Sequence, residues 1–441
     1  MTDKLKKMFN EEMESVTAEG LAALHDEKFL SQVKYVSDNS IFYQDKFKEA
    51  DLDVSRIKSL DDIVKLPFTV KSDLREAQMK NPPVGAHRAC DVIDLCRVYS
   101  SSGTTGIPTY LGLTAGDIHD VHAEAIARFC WGGGIRPDSI VVNIPTAPFI
   151  ADTFREGIEK TGAVNFPTGF NTDRVLSAFQ YQGANTLHST VSFWSYLLGE
   201  VEKAGLNPKE LGIRTIVGGA EGGTKIVRPL IEESFGATVV EGMGMGEQCC
   251  IVWGECVQNR GAGMHYLGQG LVHVEIIDPE TDASLEIKEG VMGELVYTGL
   301  IQKGMPLLRY RSRDHVKVVS TETCQCGRGG FRIEVLGRID DMLTVLGVNV
   351  YPLAVKDVVS KLIPRVSGNI EIQLENPGPV VAPPLKVKVE LGEAPGDKVE
   401  LKKQVEQEIR SRLIFQAKIE LVDELPQYQY KGKLIRKVYE E

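Results

Sequence analysis

From Tyr99 to Thr109 the chain reads Tyr-Ser-Ser-Ser-Gly-Thr-Thr-Gly-Ile-Pro-Thr, a run of hydroxyl side chains broken by two glycines. Gly103 and Gly106 let the backbone turn successive N–H groups inward, and the Ser and Thr hydroxyls add donors, which is what the oxygens of a polyphosphate require. This is not a Walker loop, because no Gly-Lys-Ser/Thr closes it and position 107 is isoleucine. A cation that neutralises phosphate must therefore come from elsewhere in the chain. A solvated Ser/Thr/Gly linker has the same composition, so the loop alone does not decide the matter.

Two further glycine-rich stretches carry acids, Gly218-Gly219-Ala220-Glu221 and Glu241-Gly242-Met243-Gly244-Met245-Gly246-Glu247. A separate set, Cys256, His265, Cys324 and Cys326, supplies three sulfurs and one imidazole, a complete tetrahedral ligand set for zinc with no open position for chemistry. The turn Cys324-Gln325-Cys326-Gly327-Arg328 can aim two sulfurs inward. C-x-C spacing is less diagnostic than C-x-x-C, and four unlinked residues with free thiols are the alternative. Cys90, Cys96 and Cys130 read as core.

The elements that must hold these residues alternate between β and α. Val92 to Val98 reads as a strand, and after the hydroxyl loop Thr114 is an N-cap for a helix whose apolar residues recur from Ile118 to Cys130. The loop is thus expected to join a strand to a helix. Strands at 140–144, 163–166, 186–189 and 213–217 alternate with helices at 152–161, 172–182, 191–204 and 225–235, the pattern of an α/β domain with a mostly parallel sheet. In such sheets ligands sit at the carboxyl ends of strands, where both glycine-rich acidic stretches fall. From Leu271 strands follow one another without helices, which predicts a β subdomain ending near Leu336. Beyond Gly337-Arg338-Ile339-Asp340-Asp341 lies a small α+β unit with helices at 353–362 and 398–413. Residues 1–84 form a helical flank.

With 441 residues the chain exceeds one hydrophobic core, so at least two domains are expected. A formal charge of −11 disfavours non-specific nucleic-acid binding and anionic membrane surfaces. The charged start and the absence of a long apolar run predict a cytoplasmic protein with no membrane segment, in which eight cysteines serve as thiols or metal ligands rather than disulfides.

Taken together the motifs resemble the adenylate-forming acyl-CoA synthetases. SSSGTTGIPT, GGAEG, the Glu241–Glu247 stretch, RYRSRD at Arg309–Asp314, GRIDDML at Gly337–Leu343 and the closing Pro426–Arg436 occur in that superfamily's order. LPFTVKSDLR, IIDPET and VLGVNVYP are similar to its phenylacetate-coenzyme A ligase branch. The resemblance implies an adenylation domain over 1–336, a hinge at 337–341 and a small mobile C-terminal domain over 342–441. It also implies a two-step reaction in which a small aromatic carboxylic acid attacks ATP to give an acyl-adenylate, after which the thiol of coenzyme A displaces AMP. Ser101, Ser102, Gly103, Thr104, Thr105 and Gly106 would then cradle phosphate, with Thr104 catalytic. Gly219, Ala220, Glu221, Glu241, Gly242, Met243 and Gly244 would border the nucleotide, Glu247 would hold Mg2+, Asp314 the ribose hydroxyls, and Arg338 ribose or phosphate. Asp314 alternatively pairs with Arg309, Arg311 or Arg313. Lys433 is the implied catalytic cation, with Lys431 as its sequence neighbour. Phe149, Trp194 and Gly246 are placed at the acyl pocket, with plain core as the alternative for the two aromatics; Met243 stands where relatives set an aromatic ring against adenine, and Gly246 replaces the usual Ser/Thr before the Mg2+ glutamate. A homodimer is the expected assembly. Rival readings are an adenylating enzyme with an amine or cofactor-hydroxyl acceptor, and a non-catalytic acid sensor.

Overall fold

The computed structural model describes residues 6–100, 108–144, 151–219, 222, 224–248, 250–345, 348–376, 378–426 and 434–438. The chain divides into two compact units, one of Met1–Ala220, Leu230–Ser312 and Lys317–Glu334, the other of Glu221–Pro229, Arg313–Val316 and Val335–Glu441.

The first unit opens with helices α1 (Glu11–Glu14), α2 (Ala18–Asn39), α3 (Ile41–Glu49) and α4 (Lys71–Lys80). Phe29, Val33 and Val36 on α2 recur at helical spacing and are buried with Tyr43 and Phe47 of α3 against Leu300 and Leu308. A hairpin comes next, β1 (Leu95–Ser100) antiparallel to β2 (Tyr110–Thr114), with Ser100 opposite Tyr110. The hydroxyl loop therefore connects two antiparallel strands and not a strand to a helix. Tyr-Leu-Gly-Leu-Thr is β-prone, and its pairing with β1 claims it before the helix can begin. Thr114 does cap the helical segment after β2: its hydroxyl accepts from the Asp117 N–H and the Asp117 carboxylate accepts from the Thr114 N–H. A π-helical stretch, Asp117–His122, runs into α5 (Ala123–Gly132). Cys130 is buried, but Cys96 is exposed because a two-stranded hairpin has an open face.

The βαβ ladder comprises β3 (Ile140–Asn143), α6 (Ala151–Lys160), β4 (Val164–Pro167), α7 (Thr172–Tyr181), β5 (Thr186–Thr190), α8 (Val191–Lys203), β6 (Thr215–Gly219), α9 (Thr224–Phe235) and β7 (Thr238–Met245). These strands pair in parallel in the order β4-β3-β5-β6-β7. Then β8 (Cys250–Gly254), β9 (Met264–Tyr266), β10 (Val272–Ile277), β11 (Met292–Gly299), β12 (Tyr310–Ser320) and β13 (Arg332–Arg338) extend it. The order is β10-β11-β12-β13-β9-β8-β7-β6-β5-β3-β4, one mixed sheet of 11 strands. This corrects the expectation of a mostly parallel sheet with a separate β subdomain. The β7–β8 hairpin continues the ladder antiparallel, so strands that lack helices between them join the existing edge instead of building a second core. α5 and α6 cover the sheet, burying Ile126, Phe129, Phe154 and Ile158 on Val141, Val217 and Val240.

The second unit adds β14 (Leu343–Val345), β15 (Val348–Val350), α10 (Pro352–Ser360), β16 (Val366–Leu374), β17 (Val380–Val381), β18 (Leu385–Leu391), α11 (Lys398–Leu413), β19 (Ala417–Val422) and β20 (Ile435–Lys437). Four strands form a sheet in the order β19-β18-β16-β20, whose alternate residues Ile370, Ile372, Val387, Val389 and Ile419 share one core with Val355 of α10 and Leu401, Val405 and Ile409 of α11. Among the described residues no helix is long and apolar enough to cross a membrane.

Candidate active site and metal centre

Glu247 sits in the turn between β7 and β8, with a side chain only 10 % exposed, and its carboxylate lies 2.6 Å from the Lys71 ammonium. Lys71 begins α4 inside the LPFTVKSDLR motif, and the Asp73 carboxylate caps that helix at the Val70 N–H. Sequence reasoning missed Lys71, because nothing local signals a partner so distant along the chain. Glu247 and Gly246 line a small cavity together with Ser100, Thr109, Tyr99 and His87. Ser100 and Thr109 flank the two ends of the hydroxyl loop, so folding brings that loop's anchors beside the candidate Mg2+ ligand. A buried carboxylate already facing an ammonium is the hard, anionic oxygen donor that Mg2+ takes.

At the carboxyl ends of β6 and β7, Gly219 pairs with Gly242. A Cβ on Gly219, whose φ is +153°, would lie 2.1 Å from the Gly242 carbonyl oxygen, and one on Gly242 would lie 2.6 Å from the Phe129 ring. These glycines are required by the chain's own packing. Ligand approach alone, the sequence-based reason, does not account for them. The Glu241 N–H donates to Glu255, while Met243 and Gly244 continue β7 opposite β8.

Two of the arginines considered from sequence as partners of Asp314 are engaged elsewhere. Arg309 holds buried Glu275 at 2.9 Å and Arg311 holds Glu294 at 2.7 Å. Arg338 bonds Asp314 at 3.2 Å and grips both oxygens of Asp340 at 2.9 Å, so two of the predicted nucleotide residues meet within the second unit. Trp194 is fully buried on α8. The hydroxyl loop residues Ser101–Gly106, with Phe149, Ala220, Glu221 and Lys433, lie outside the described residues.

The sulfur set converges. Cys256 follows β8, His265 lies on β9 opposite Arg332 of β13, and Cys324 and Cys326 occupy the turn between β12 and β13. That turn is closed by Gly327 N–H to Cys324 O at 2.8 Å, with Gly327 at φ +90°. All four residues are buried, and their donor atoms lie within 4.8 Å of one another. Cys256 Sγ is 3.9 Å from Cys324 Sγ, and Cys326 Sγ is 3.8 Å from His265 Nε2. A tetrahedral zinc with ~2.3 Å sulfur bonds has sulfur–sulfur edges of about 3.8 Å, whereas a disulfide needs about 2 Å. The donor set therefore fits zinc. Its hydrogen bond to Cys326 together with burial pushes the Cys256 thiol up, and the same bond holds Cys326 well below the usual thiol range. Buried thiols must share protons in this way unless a cation replaces them. Arg328, itself buried, reaches Cys326 Sγ at 3.8 Å and forms an ion pair with buried Glu14 of α1, tying the N-terminal segment to this centre.

The chain is 34% identical over 387 residues to a phenylacetate-coenzyme A ligase of Thermus thermophilus, spanning 87% of this chain and 84% of that protein. It belongs to the phenylacetate-coenzyme A ligase family. A second member, from Escherichia coli K12, is 30% identical over 391 residues, covering 87% of this chain and 85% of its own. Residues 347–439 match the AMP-binding enzyme C-terminal domain. Among solved structures, 2-hydroxyisobutyryl-CoA ligase in complex with 2-HIB-AMP superposes with a TM-score of 0.89 at 25% identity, over 99% of this chain and 94% of that one. The phenylacetate-coenzyme A ligase family is one of adenylate-forming acid–thiol ligases, and the large mixed sheet with a C-terminal AMP-binding domain is its fold.

Proposed function

We propose that this chain joins a small aromatic carboxylic acid to coenzyme A, using ATP and releasing AMP and pyrophosphate. The cavity shared by Glu247, Gly246 and the two anchors of the hydroxyl loop carries this reading, supported by relatives that are phenylacetate-coenzyme A ligases at 30–34% identity. In the first step a carboxylate oxygen attacks the α-phosphorus and pyrophosphate leaves. Backbone N–H groups and hydroxyls of Ser101–Thr105, Thr104 among them, spread the charge on the leaving group. Glu247 would hold Mg2+, which neutralises phosphate charge when bound. Asp314 accepts from the ribose hydroxyls, held in place by Arg338. Trp194 and Phe149 border the acyl group, and Gly246 leaves room beside its carboxylate. In the second step the thiol sulfur attacks the acyl carbon and AMP leaves.

The decisive experiment measures AMP release over a panel of aromatic acids with and without coenzyme A. Acid-dependent release accelerated by coenzyme A is expected. A requirement for an amine or a cofactor hydroxyl would replace this reading with an amide-forming or cofactor-adenylylating enzyme, and silence across the panel would make the chain an acid sensor.

Cys256, His265, Cys324 and Cys326 are assigned to a structural zinc on the strength of their spacing and burial. Protein purified without chelators is expected to carry about one equivalent of zinc. Cys324→Ser is expected to lower the melting temperature by roughly 5–10 °C while leaving the reaction chemistry intact, since metal binding adds directly to folding. Metal analysis that finds no zinc would refute the assignment.

A further inference from the structure

His188 lies on β5, wholly buried, with Asn143 of β3 opposite it on one side and Val217 of β6 on the other. Two residues further on, Thr190 stands opposite Gly219 and ends the strand, so His188 is close to the carboxyl edge of the parallel strands, where such sheets bind ligands. It shares with Val217 the face that α5 and α6 cover. Phe154 of α6 stacks on the imidazole, 3.7 Å between ring centres and 21° between planes, and meets Phe129 of α5 edge-on at 6.4 Å. One ring nitrogen is satisfied within the sheet. Asn143 Nδ2 donates to Asn165 Oδ1 at 3.0 Å, which turns Asn143 Oδ1 to His188 Nδ1 at 2.8 Å. Nδ1 therefore carries the proton, and Nε2 is left as a bare acceptor. Nε2 is buried with no hydrogen-bond partner among the described residues. Burial holds this imidazole at about 3, so near neutral pH it is uncharged and presents a lone pair. A buried acceptor without a donor destabilises the fold, and a ring fixed by a stack and an amide chain cannot turn away to relieve it.

An aromatic wall with one oriented polar atom is the usual make-up of a small-molecule site. Phe149, assigned above to the acyl pocket, belongs to the connection between β3 and α6, the two elements that carry Asn143 and Phe154. The carboxylate of the acid is assigned beside Gly246, immediately after β7. Strand β5 stands two strands from β7 with β6 between them, about 10 Å at the ordinary strand spacing. A carboxylate, a ring and a substituent on the far side of that ring span a gap of this order. A neutral acceptor gives a carboxylate nothing to bind, so its match is a donor at the other end of the molecule. We infer that His188 Nε2 selects an aromatic acid whose ring carries a hydrogen-bond donor, a hydroxyl or an amino group, on the side away from the carboxylate. The inference rests on the aromatic-acid ligase reading and deepens it.

The test ranks acids by kcat/KM in acid-dependent pyrophosphate exchange, which needs no coenzyme A. Benzoate and phenylacetate are compared with their meta- and para-hydroxy, amino and methoxy forms, in wild type and in His188→Phe, which keeps a ring to stack on Phe154. Wild type is expected to favour a donor-bearing acid over its unsubstituted parent by about tenfold or more, since the parent leaves Nε2 unpaired. The matching methoxy acid, of similar reach but with no proton to donate, should fall below the parent. Whether hydroxyl or amino ranks first names the donor. In His188→Phe the ratio of donor-bearing to parent acid should collapse toward one, a change that a merely structural residue, lowering every acid alike, would not give. Equal kcat/KM for donor-bearing, methoxy and parent acids in wild type overturns the inference and leaves the ligase reading intact, and this comparison requires no variant to fold. A ratio that persists in His188→Phe also overturns it. If no aromatic acid supports exchange, the ligase reading and the inference fail together.

Discussion

Adenylation by Lys433→Ala is expected to fall by about a hundredfold or more, the scale of removing one electrostatic group aimed at a transition state. The first half-reaction brings a carboxylate anion onto the phosphates of ATP, and two anions approach only where a cation offsets their repulsion. The hydroxyl loop has no lysine of its own, and the closing Gly432-Lys433-Leu434-Ile435-Arg436 motif is the source that family resemblance supplies. The second half-reaction is different in kind. A thiol attacks the carbon of a mixed anhydride, and no second anion must be forced onto phosphate. Thioester formation from a supplied acyl-adenylate should therefore be nearly spared, and Lys431→Ala should leave both steps close to wild type. Rapid-quench measurement of each half-reaction separates these outcomes. Equal slowing of both would make Lys433 a general phosphate contact, and a larger loss in Lys431→Ala would move the catalytic role to that residue.

Below pH 6.5 the protein is expected to lose stability steeply. Burial holds the imidazoles of His25, His122 and His188 at about 3 and those of His87 and His273 at about 4, with His25 also pressed down by the charges of His273 and Lys28. His25 shows how the neutral form is built in: its Nε2 accepts the Gly270 N–H, and its Nδ1 faces Nδ1 of His273 at 3.3 Å. The sign is set by the depressed folded values. As pH falls through 6.5 each of these histidines takes a proton in the unfolded chain and none in the folded one, until pH reaches about 4. Stability present above pH 6.5 is thus lost on acidification, at a limiting slope of about 1.4 kcal/mol per pH unit for each histidine, or roughly 7 for the five together. A typical stability of about 5–15 kcal/mol is exhausted within a few pH units on that slope. Melting temperatures recorded from pH 7.5 to 4.5 should drop sharply across pH 6 to 5, and His122→Gln should make the slope shallower by about one proton. A flat profile over that range would mean that the unfolded chain keeps these imidazoles neutral too.

How far a residue's role could be read in advance tracked how local its determinants are. Strands β3 to β5 and helices α7 to α9 fall within a residue or so of their sequence-based bounds, since an apolar run next to an amphipathic stretch is written within about thirty residues of chain. Glu247, Asp314, Arg338 and the Cys3His set were legible as residue types in a recognisable order. Strand β2 was not, because Tyr110–Thr114 becomes a strand only through its partner β1 across the hydroxyl loop.

Residue chemistry and local periodicity, then, were determined by sequence alone: an α/β ladder, a hydroxyl- and glycine-rich loop with no lysine of its own, a Cys3His set of metal-ligating residue types, and the motifs of an adenylate-forming family. The tertiary structure decided which of these groups meet. A period of two reports which face of a strand is buried and is silent about its neighbour, so only folding could join β8 to β13 onto the parallel strands as one sheet. Only folding could set Lys71 2.6 Å from Glu247, turn Arg338 rather than Arg309 or Arg311 toward Asp314, and stack Phe129 where Gly242 must lack a side chain. Each of these is a contact between residues far apart in the chain, fixed by close packing of the whole core rather than by any stretch that carries it.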